Sequence, residues 1–410
     1  MKALYRTGLV IAMASVFIGG CDGSSLVAGN RISQLLDKTA ATWPAISHLA
    51  DKAGSNKIGS KELDYKLTKA KFPAASINHH ELAVSTIERL NQRRQACGFG
   101  QLQRNEALMA LSEQHAKYIQ HVFVQAGAMP KHYAPHSEQP VSGFIGVTGA
   151  QNPYYTGEDL LARIQAANYQ HRDNIVGESI GTRLLYESTG LSELNTGQVT
   201  SEMLTALLAA PYHLATLLSS AFNQNGTSLI SFVPHHKDYT KARGFILVTT
   251  NGASEKLTLP DKLLTYPCRG SHNTARMLDN ESPNPVQGLG RDLRADPVGQ
   301  PVYITYPAAK KIQVSRIRFI DTRTQQAVPT YLLDATSDPH KNTAAELPAN
   351  SAFIIPLTDS FSNCAAQGRS VHNNCGLNAN TRYRVGFTVQ VDDGKTLQRS
   401  IDFTTGSHAD

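Results

Sequence analysis

Three short segments hold the side chains best placed to do chemistry: Pro135-His136-Ser137-Glu138, Val176-Gly177-Glu178-Ser179-Ile180 and Ala210-Pro211-Tyr212-His213. Each sets an imidazole or a carboxylate beside a turn-former or a helix boundary, positions that tend to line clefts rather than fill cores. Two histidines and one or two glutamates brought together could hold a divalent metal such as zinc, leaving a position open for water, or could share a proton. Without a metal, the same groups would make a hydrogen-bonded network that holds the cleft together. Gly177-Glu178-Ser179-Ile180-Gly181 also spells the Gly-x-Ser-x-Gly nucleophile elbow. That motif needs a strand-turn-helix junction with an acid and then a histidine downstream. Here a strand is expected to run through it, and no aspartate lies between Ser179 and His213.

The elements that must position these groups are legible in the spacing of apolar residues. Val84, Ile87, Leu90 and Arg94 mark an amphipathic helix ending at Cys97-Gly98, and Asn105 caps a second with Leu108, Leu111, Tyr118, Ile119 and Val122 on one face. A stretch rich in proline and glycine follows, from Gly127 to Tyr155. Thr156-Gly157-Glu158-Asp159 reads as a capping box opening a helix to Ala167. A strand is expected from Ile175 to Leu185, a helix capped by Ser201, another opened by Pro211, and a buried strand from Gly244 to Thr250. The sum is an α+β domain over residues 81–255, with helices outside a small sheet. Residues 256–290 read as a linker. From 291 to 406 the pattern is all strand, with segments at Val302–Tyr306, Val314–Ile320, Thr330–Leu333, Ala352–Ile355, Tyr383–Val391 and Ser400–Thr404 spaced as in a sandwich.

Ahead of these, Lys2 and Arg6 precede an apolar run from Leu9 to Ile18 that is too short to span a bilayer. Gly19-Gly20-Cys21 follows and resembles the lipobox of bacterial lipoproteins. That resemblance implies a signal peptide over residues 1–20, a lipidated Cys21, and a protein anchored to a membrane of the bacterial envelope, facing the periplasm or the exterior. Residues 21–80, polar and mixed, would be a tether with some helix. Export predicts an oxidising compartment, where the four remaining cysteines are free to pair. Of the three possible pairings, Cys97–Cys268 with a local Cys364–Cys375 bridge is the economical one. The chain is 41% hydrophobic and 18% charged. Its formal charge of +6 falls to +4 without Lys2 and Arg6 (37 basic against 33 acidic side chains). With no Lys/Arg-rich run and no aromatic-basic interleaving, nothing points to nucleic acid.

The central domain resembles the CAP or SCP superfamily of cysteine-rich secretory proteins, venom antigens and plant pathogenesis-related proteins. The likeness rests on Leu90-Asn91-Gln92-Arg93-Arg94 with Gly98-Phe99-Gly100, on Leu108 to His115, on Gly177-Glu178-Ser179-Ile180, and on Ala210-Pro211-Tyr212-His213-Leu214, in the family's order. It implies an α-β-α sandwich with a cleft holding two histidines and two acids. Glu178 matches the glutamate of the family's Gly-Glu-Asn-Ile motif, and His213 matches its later histidine. The earlier histidine is placed at His136, with His132 as competitor, and Glu138 and Glu202 compete as second acid. His136 and His213 would be the metal ligands. Ser179 and Leu214 depart from the family pattern, as does the lack of a tryptophan before the last histidine. His79, His80, His115, His121, His171, His235 and His236 read as exposed or hydrogen-bonded. The terminal region, from Leu377 to Tyr383 and on to Asp402-Phe403-Thr404-Thr405-Gly406, resembles the last hairpin of bacterial immunoglobulin-like modules. The first functional expectation is a cleft binding a lipid, a sterol-like molecule or a cell-wall component. A hydrolase using Glu178 and the histidines comes second, and a structural or adhesion role third.

Overall fold

Helix α1 (His79–Ala96) begins where the Asn78 side chain accepts the Glu81 N–H at 3.1 Å, and it carries Arg93 and Arg94 in its last turn. Both features suit the helix dipole. Asn105 likewise accepts the Leu108 N–H at the start of α2 (Glu106–Ala126). Helix α3 (Leu160–Ala166) is capped by Asp159, which accepts from Ala162, and not by Thr156 as the capping-box reading expects. Helix α4 (Thr196–Leu207) starts at Asn195, ahead of the expected Ser201, and α5 (Pro211–Leu217) opens on its proline. The computed structural model describes residues 15–18, 68–69, 77–126, 133–186, 195–233, 242–293, 296–359, 376–392 and 394–407. The expected lipidation at Cys21, the competitor His132 and the Cys364–Cys375 pair lie outside the described residues.

Strands β1 (Gln103–Arg104), β2 (Val176–Tyr186), β3 (Gln224–Phe232) and β4 (Ala242–Gly252) form the first sheet, in the order β2-β4-β3-β1. The pairs β2/β4 and β4/β3 are antiparallel, and β3/β1 is parallel. Ser15–Ile18 and Thr68–Lys69 lie parallel along the outer edge of β2. Alternation along β4 sends Phe245 and Leu247 into a core with Leu90 of α1, Leu204 and Leu207 of α4, and Leu214 and Leu217 of α5. Ile246 and Val248 face the other way, against Ala116, Ile119 and Val122 of α2. Helix α2 sits so low on the sheet that a Cβ at Gly226 would fall 2.1 Å from the Leu108 carbonyl carbon. Strand β3 is not foreseen from the sequence.

The stretch expected as a linker, 256–290, supplies strands β5 (Leu264–Tyr266) and β6 (Ser271–Thr274) and the short strand Met277–Leu278. Leu264–Tyr266 and Met277–Leu278 are buried because C-terminal strands pair with them, whereas the polar β6 is largely exposed at the edge of its sheet. Strands β7 (Val302–Thr305), β9 (Thr330–Asp334) and β10 (Ser351–Pro356) join β5 in a second sheet ordered β9-β10-β7-β5. A third sheet, ordered β8-β11-β12-β6, is built from β8 (Ile312–Asp321), β11 (Arg382–Val391), β12 (Lys395–Thr405) and β6. Val302, Ile304 and Ile354 share one core with Val385, Phe387 and Phe403 of the third sheet. Tyr303, Phe353 and Ile355, one step out of phase, enter the core that holds α4 and α5. The second sheet is therefore buried on both faces, and β10 reads as an unbroken apolar run for that reason.

Two further ties join the regions. Cys97 and Cys268 are disulfide-bonded with their Cα atoms 5.4 Å apart, as the economical pairing predicts. Arg94, fully buried, donates to the carbonyls of Phe99, Gly100, Leu217 and Ser219, and burial lowers its pKa to about 10. Among the described residues no helix is long and apolar enough to cross a membrane.

Candidate functional site

Strand alternation decides which candidates meet. Glu178 shares its face of β2 with Val176 and Ile180, which pack toward α2 and α3. His115 of α2, Arg163 of α3, and His136 and Glu138 of the intervening loop converge on that face. His136 Nδ1 donates to Glu178 Oε1 at 2.8 Å, and Arg163 Nη2 donates to the same oxygen at 2.8 Å. His115 Nδ1 donates to Glu138 Oε1 at 2.8 Å and lies, through Nε2, 3.8 Å from Glu178. Arg163 Nη1 donates to the His136 carbonyl at 2.9 Å, while its Nε stands 4.0 Å from Glu138. Two imidazole–carboxylate pairs thus flank one guanidinium.

Local structure holds the loop in place. Glu138 Oε2 accepts the N–H groups of Thr156 (2.6 Å) and Gly157 (3.2 Å), the residues read from sequence as a capping box. The Tyr118 hydroxyl of α2 accepts the Gly149 N–H at 2.8 Å, and the Asn152 side chain donates back to the Tyr118 carbonyl. A Cβ at Gly157 would lie 2.8 Å from the backbone of α3, so only glycine lets the loop pass there.

The cluster is almost sealed. His115, Glu138, Arg163 and Glu178 are buried, and only His136, with 11% of its side chain exposed, reaches the surface. Burial alone would raise the Glu178 carboxyl. The Arg163 guanidinium, then His115 and His136, outweigh burial and hold it well below the usual carboxylate range. A carboxylate so depressed is a poor general base at neutral pH. What it does well is fix the ring of His136, whose Nε2 has no hydrogen-bond partner among the described residues; Glu178 Oε2 and the Tyr133 hydroxyl have none among them either. Burial pushes the Tyr133 phenol well above its ordinary range, so it stays a neutral donor.

His213 and Glu202 do not join. Helix α5 lies on the opposite face of the sheet, where His213 Nδ1 is 3.1 Å from Glu281 Oε1. That oxygen also accepts the N–H groups of Tyr212 and His213, capping α5 from the C-terminal region. Glu202 of α4 pairs with Arg183 and accepts from Gln198 on the same far side. A cleft of about 130 Å³ between α5 and the second sheet, reached by Tyr212, Ser219, Leu259 and Asn350, also lies there and touches none of the cluster. Ser179 is interior to β2, opposite Thr249, which removes the nucleophile-elbow reading.

These placements bear on a metal. Both nitrogens of His115 sit within 2.8 Å of protein oxygens, Glu138 Oε1 and the Pro135 carbonyl, so neither faces open space where a cation could sit. Arg163 already supplies a fixed positive charge at Glu178, and no group of three or more ligating side chains is found among the described residues. The donor set fits zinc poorly. Sequence reasoning had set His115 aside and had not considered Arg163. The recurrence of His115 in register with Leu108, Leu111 and Ser112 on the buried face of α2 was the available signal.

Residues 87–229 match the CAP family, the cysteine-rich secretory protein family, so the chain carries a CAP domain there. The domain contains all five residues of the cluster. No curated protein matches. Among solved structures, a cysteine-rich secretory protein from Staphylococcus aureus is similar at 11% identity with a TM-score of 0.23. The likeness covers 43% of this chain and 40% of that one, and it is too slight to carry over chemistry.

Proposed function

We propose that the chain is an exported bacterial envelope protein, anchored through acylated Cys21, whose CAP domain binds a small polar ligand beside His136. The observation that carries this reading is that three buried atoms, His136 Nε2, Glu178 Oε2 and the Tyr133 hydroxyl, have no hydrogen-bond partner among the described residues, while 11% of the His136 side chain is exposed. Unpaired buried polar atoms are costly, and a ligand that supplies hydroxyl or amide groups would satisfy them. This chemistry favours a cell-wall component over a sterol-like or other lipid ligand. Helices on both faces of the first sheet support an α-β-α sandwich, and two sheets around one core support an immunoglobulin-like module that serves as a spacer. The disulfide supports an oxidising compartment.

A second reading, a hydrolase, is favoured by one observation: Glu178 orients an imidazole whose Nε2 is left to handle a proton. Ser137, the serine next to it in the chain, has its Oγ donating to the Glu158 carbonyl, so the reaction would use water. Calorimetric titration with soluble muropeptides tests binding. Heat lost in His136→Ala with an unchanged melting temperature is expected, and equal affinity in both proteins would end the proposal. Turnover that vanishes in Glu178→Gln would shift the assignment to catalysis. Metal content that drops in His136→Ala would bring zinc back despite the poor donor set.

A further inference from the structure

The outer face of the third sheet is cationic by register. Tyr383, Val385, Phe387 and Val389 of β11 are buried against the second sheet, so the alternate positions 382, 384 and 386 face outward. Arg382 and Arg384 stand there with 60% and 51% of their side chains exposed. Gly386 is paired on one side with Arg318 of β8, which is exposed, and on the other with Ser400 of β12. The exposed Arg269 reaches the Ser400 carbonyl at 3.3 Å. Arg384 along the strand and Arg318 across it flank the glycine, Arg269 reaches the backbone of its other neighbour, and Arg382 stands two outward positions away. A Cβ on the glycine would meet nothing closer than the Arg399 carbonyl oxygen at 3.9 Å, so the floor between the arginines is open.

Among the strand positions of that face the one acid is Asp402, which takes Arg382 at 2.6 Å and Arg384 at 2.7 Å. At the paired strand positions Arg318, Arg382 and Arg384 stand against Asp402, a net charge of +2, and Arg269 adds a guanidinium beside β12. Glutamines, threonines and serines fill most of the remaining outward positions, among them Gln313, Ser315, Gln390, Gln398 and Ser400, while Ile320, paired with Arg384, is buried. No aromatic platform for nucleic-acid bases stands among them.

We infer that this face docks on an acidic phospholipid bilayer. Complementary charge is the first argument. Breadth is the second: the patch spans three neighbouring strands about 4.8 Å apart. Headgroups that diffuse laterally can gather under fixed arginines, whereas a stiff polymer would have to match their spacing along one line. The inference uses the envelope setting proposed above only to supply such a membrane. It needs neither the acyl group nor the His136 site. Each arginine near an anionic surface is worth about a fivefold change in affinity, and the attraction decays within a Debye length of about 10 Å at moderate salt.

The test is cosedimentation of the full chain carrying Cys21→Ser, which removes the acylation site, with phosphatidylglycerol vesicles and with pure phosphatidylcholine vesicles. Salt-sensitive binding to the acidic vesicles alone is expected. The double variant Arg318→Gln/Arg382→Gln should lose about 25-fold in affinity, and Asp402→Asn should gain, because it removes the one opposing charge. All are surface changes, checked by unaltered melting. Equal binding to both vesicle types would overturn the inference, as would variants that bind like the parent. Retention on soluble polyanions without vesicle binding would also overturn it and would assign the face to an anionic polymer.

Discussion

Replacing Arg163 by methionine should be among the most damaging single changes in the chain, for a reason that can be separated from lost packing. The guanidinium is fully buried, bonds Glu178 at 2.8 Å and the His136 carbonyl at 2.9 Å, and stands 4.0 Å from Glu138. Methionine keeps most of the volume and removes the charge. Glu178 would then be a buried carboxylate without its main counter-charge, which costs about 3–5 kcal/mol. Glu178→Gln removes the need for that charge, so the double variant should recover about 1–3 kcal/mol relative to the sum of the singles. Because Glu178 is depressed in the folded state, its contribution is present above the unfolded carboxylate pKa of about 4.3 and fades as pH falls through the lower folded value. The gap between the parent and Arg163→Met should therefore narrow on acidification. Urea unfolding followed by circular dichroism at neutral and acid pH measures both quantities. Strictly additive variants, or a gap that ignores pH, would refute the account of the cluster as an electrostatically balanced unit.

Other outcomes follow from the same physics. Cys97→Ser/Cys268→Ser opens a loop spanning 171 residues and should cost about 5 kcal/mol by chain entropy, read as a lowered urea midpoint that reductant no longer changes. Burial, helped by nearby Asp338 and opposed by the Tyr212 and His213 N–H groups, raises the Glu281 carboxyl well above its usual range. Stability from a raised acid is full below the unfolded pKa and is lost as pH rises through the folded one, so Glu281→Gln should flatten the alkaline fall in unfolding midpoint. Gly226→Ala should destabilise by about 1–3 kcal/mol or more through overpacking, since α2 must lift off β3; an unchanged melting temperature would show that the helix sits higher than described.

Much of the fold was legible because it rests on periodicity. The alternation at 244–250 and 383–391 and the apolar faces of α1 and α2 each emerge as elements close to their expected limits. What failed were positions where tertiary contact overrides local chemistry. Strand β3 went unread, and its Gly226 is there to let a helix backbone approach a strand. Thr156 and Asp159 are both plausible caps by composition, and only the carboxylate of Glu138, eighteen residues away from Thr156, decides that the threonine's N–H is needed elsewhere. The meeting of His136 with Glu178 could be anticipated from two motifs. The partner Arg163 could not, because an ion pair between separate elements leaves no spacing to read, and His115 left only its register on the buried face of α2. His213 was misassigned for a related cause. A helix start can be recognised from Pro211, but which side of the sheet that helix covers depends on a C-terminal region whose first strands read as linker.

The burial of the second sheet on both sides gives the CAP domain an orientation. One flank, with α4 and α5, is occupied by the chain's own tail and stapled there by a covalent bond. A visitor to the proposed His136 site would therefore meet the loop that carries His136 and Glu138 rather than the covered flank. Changes in that loop, rather than in the far helices, are where selectivity among visitors would be tuned.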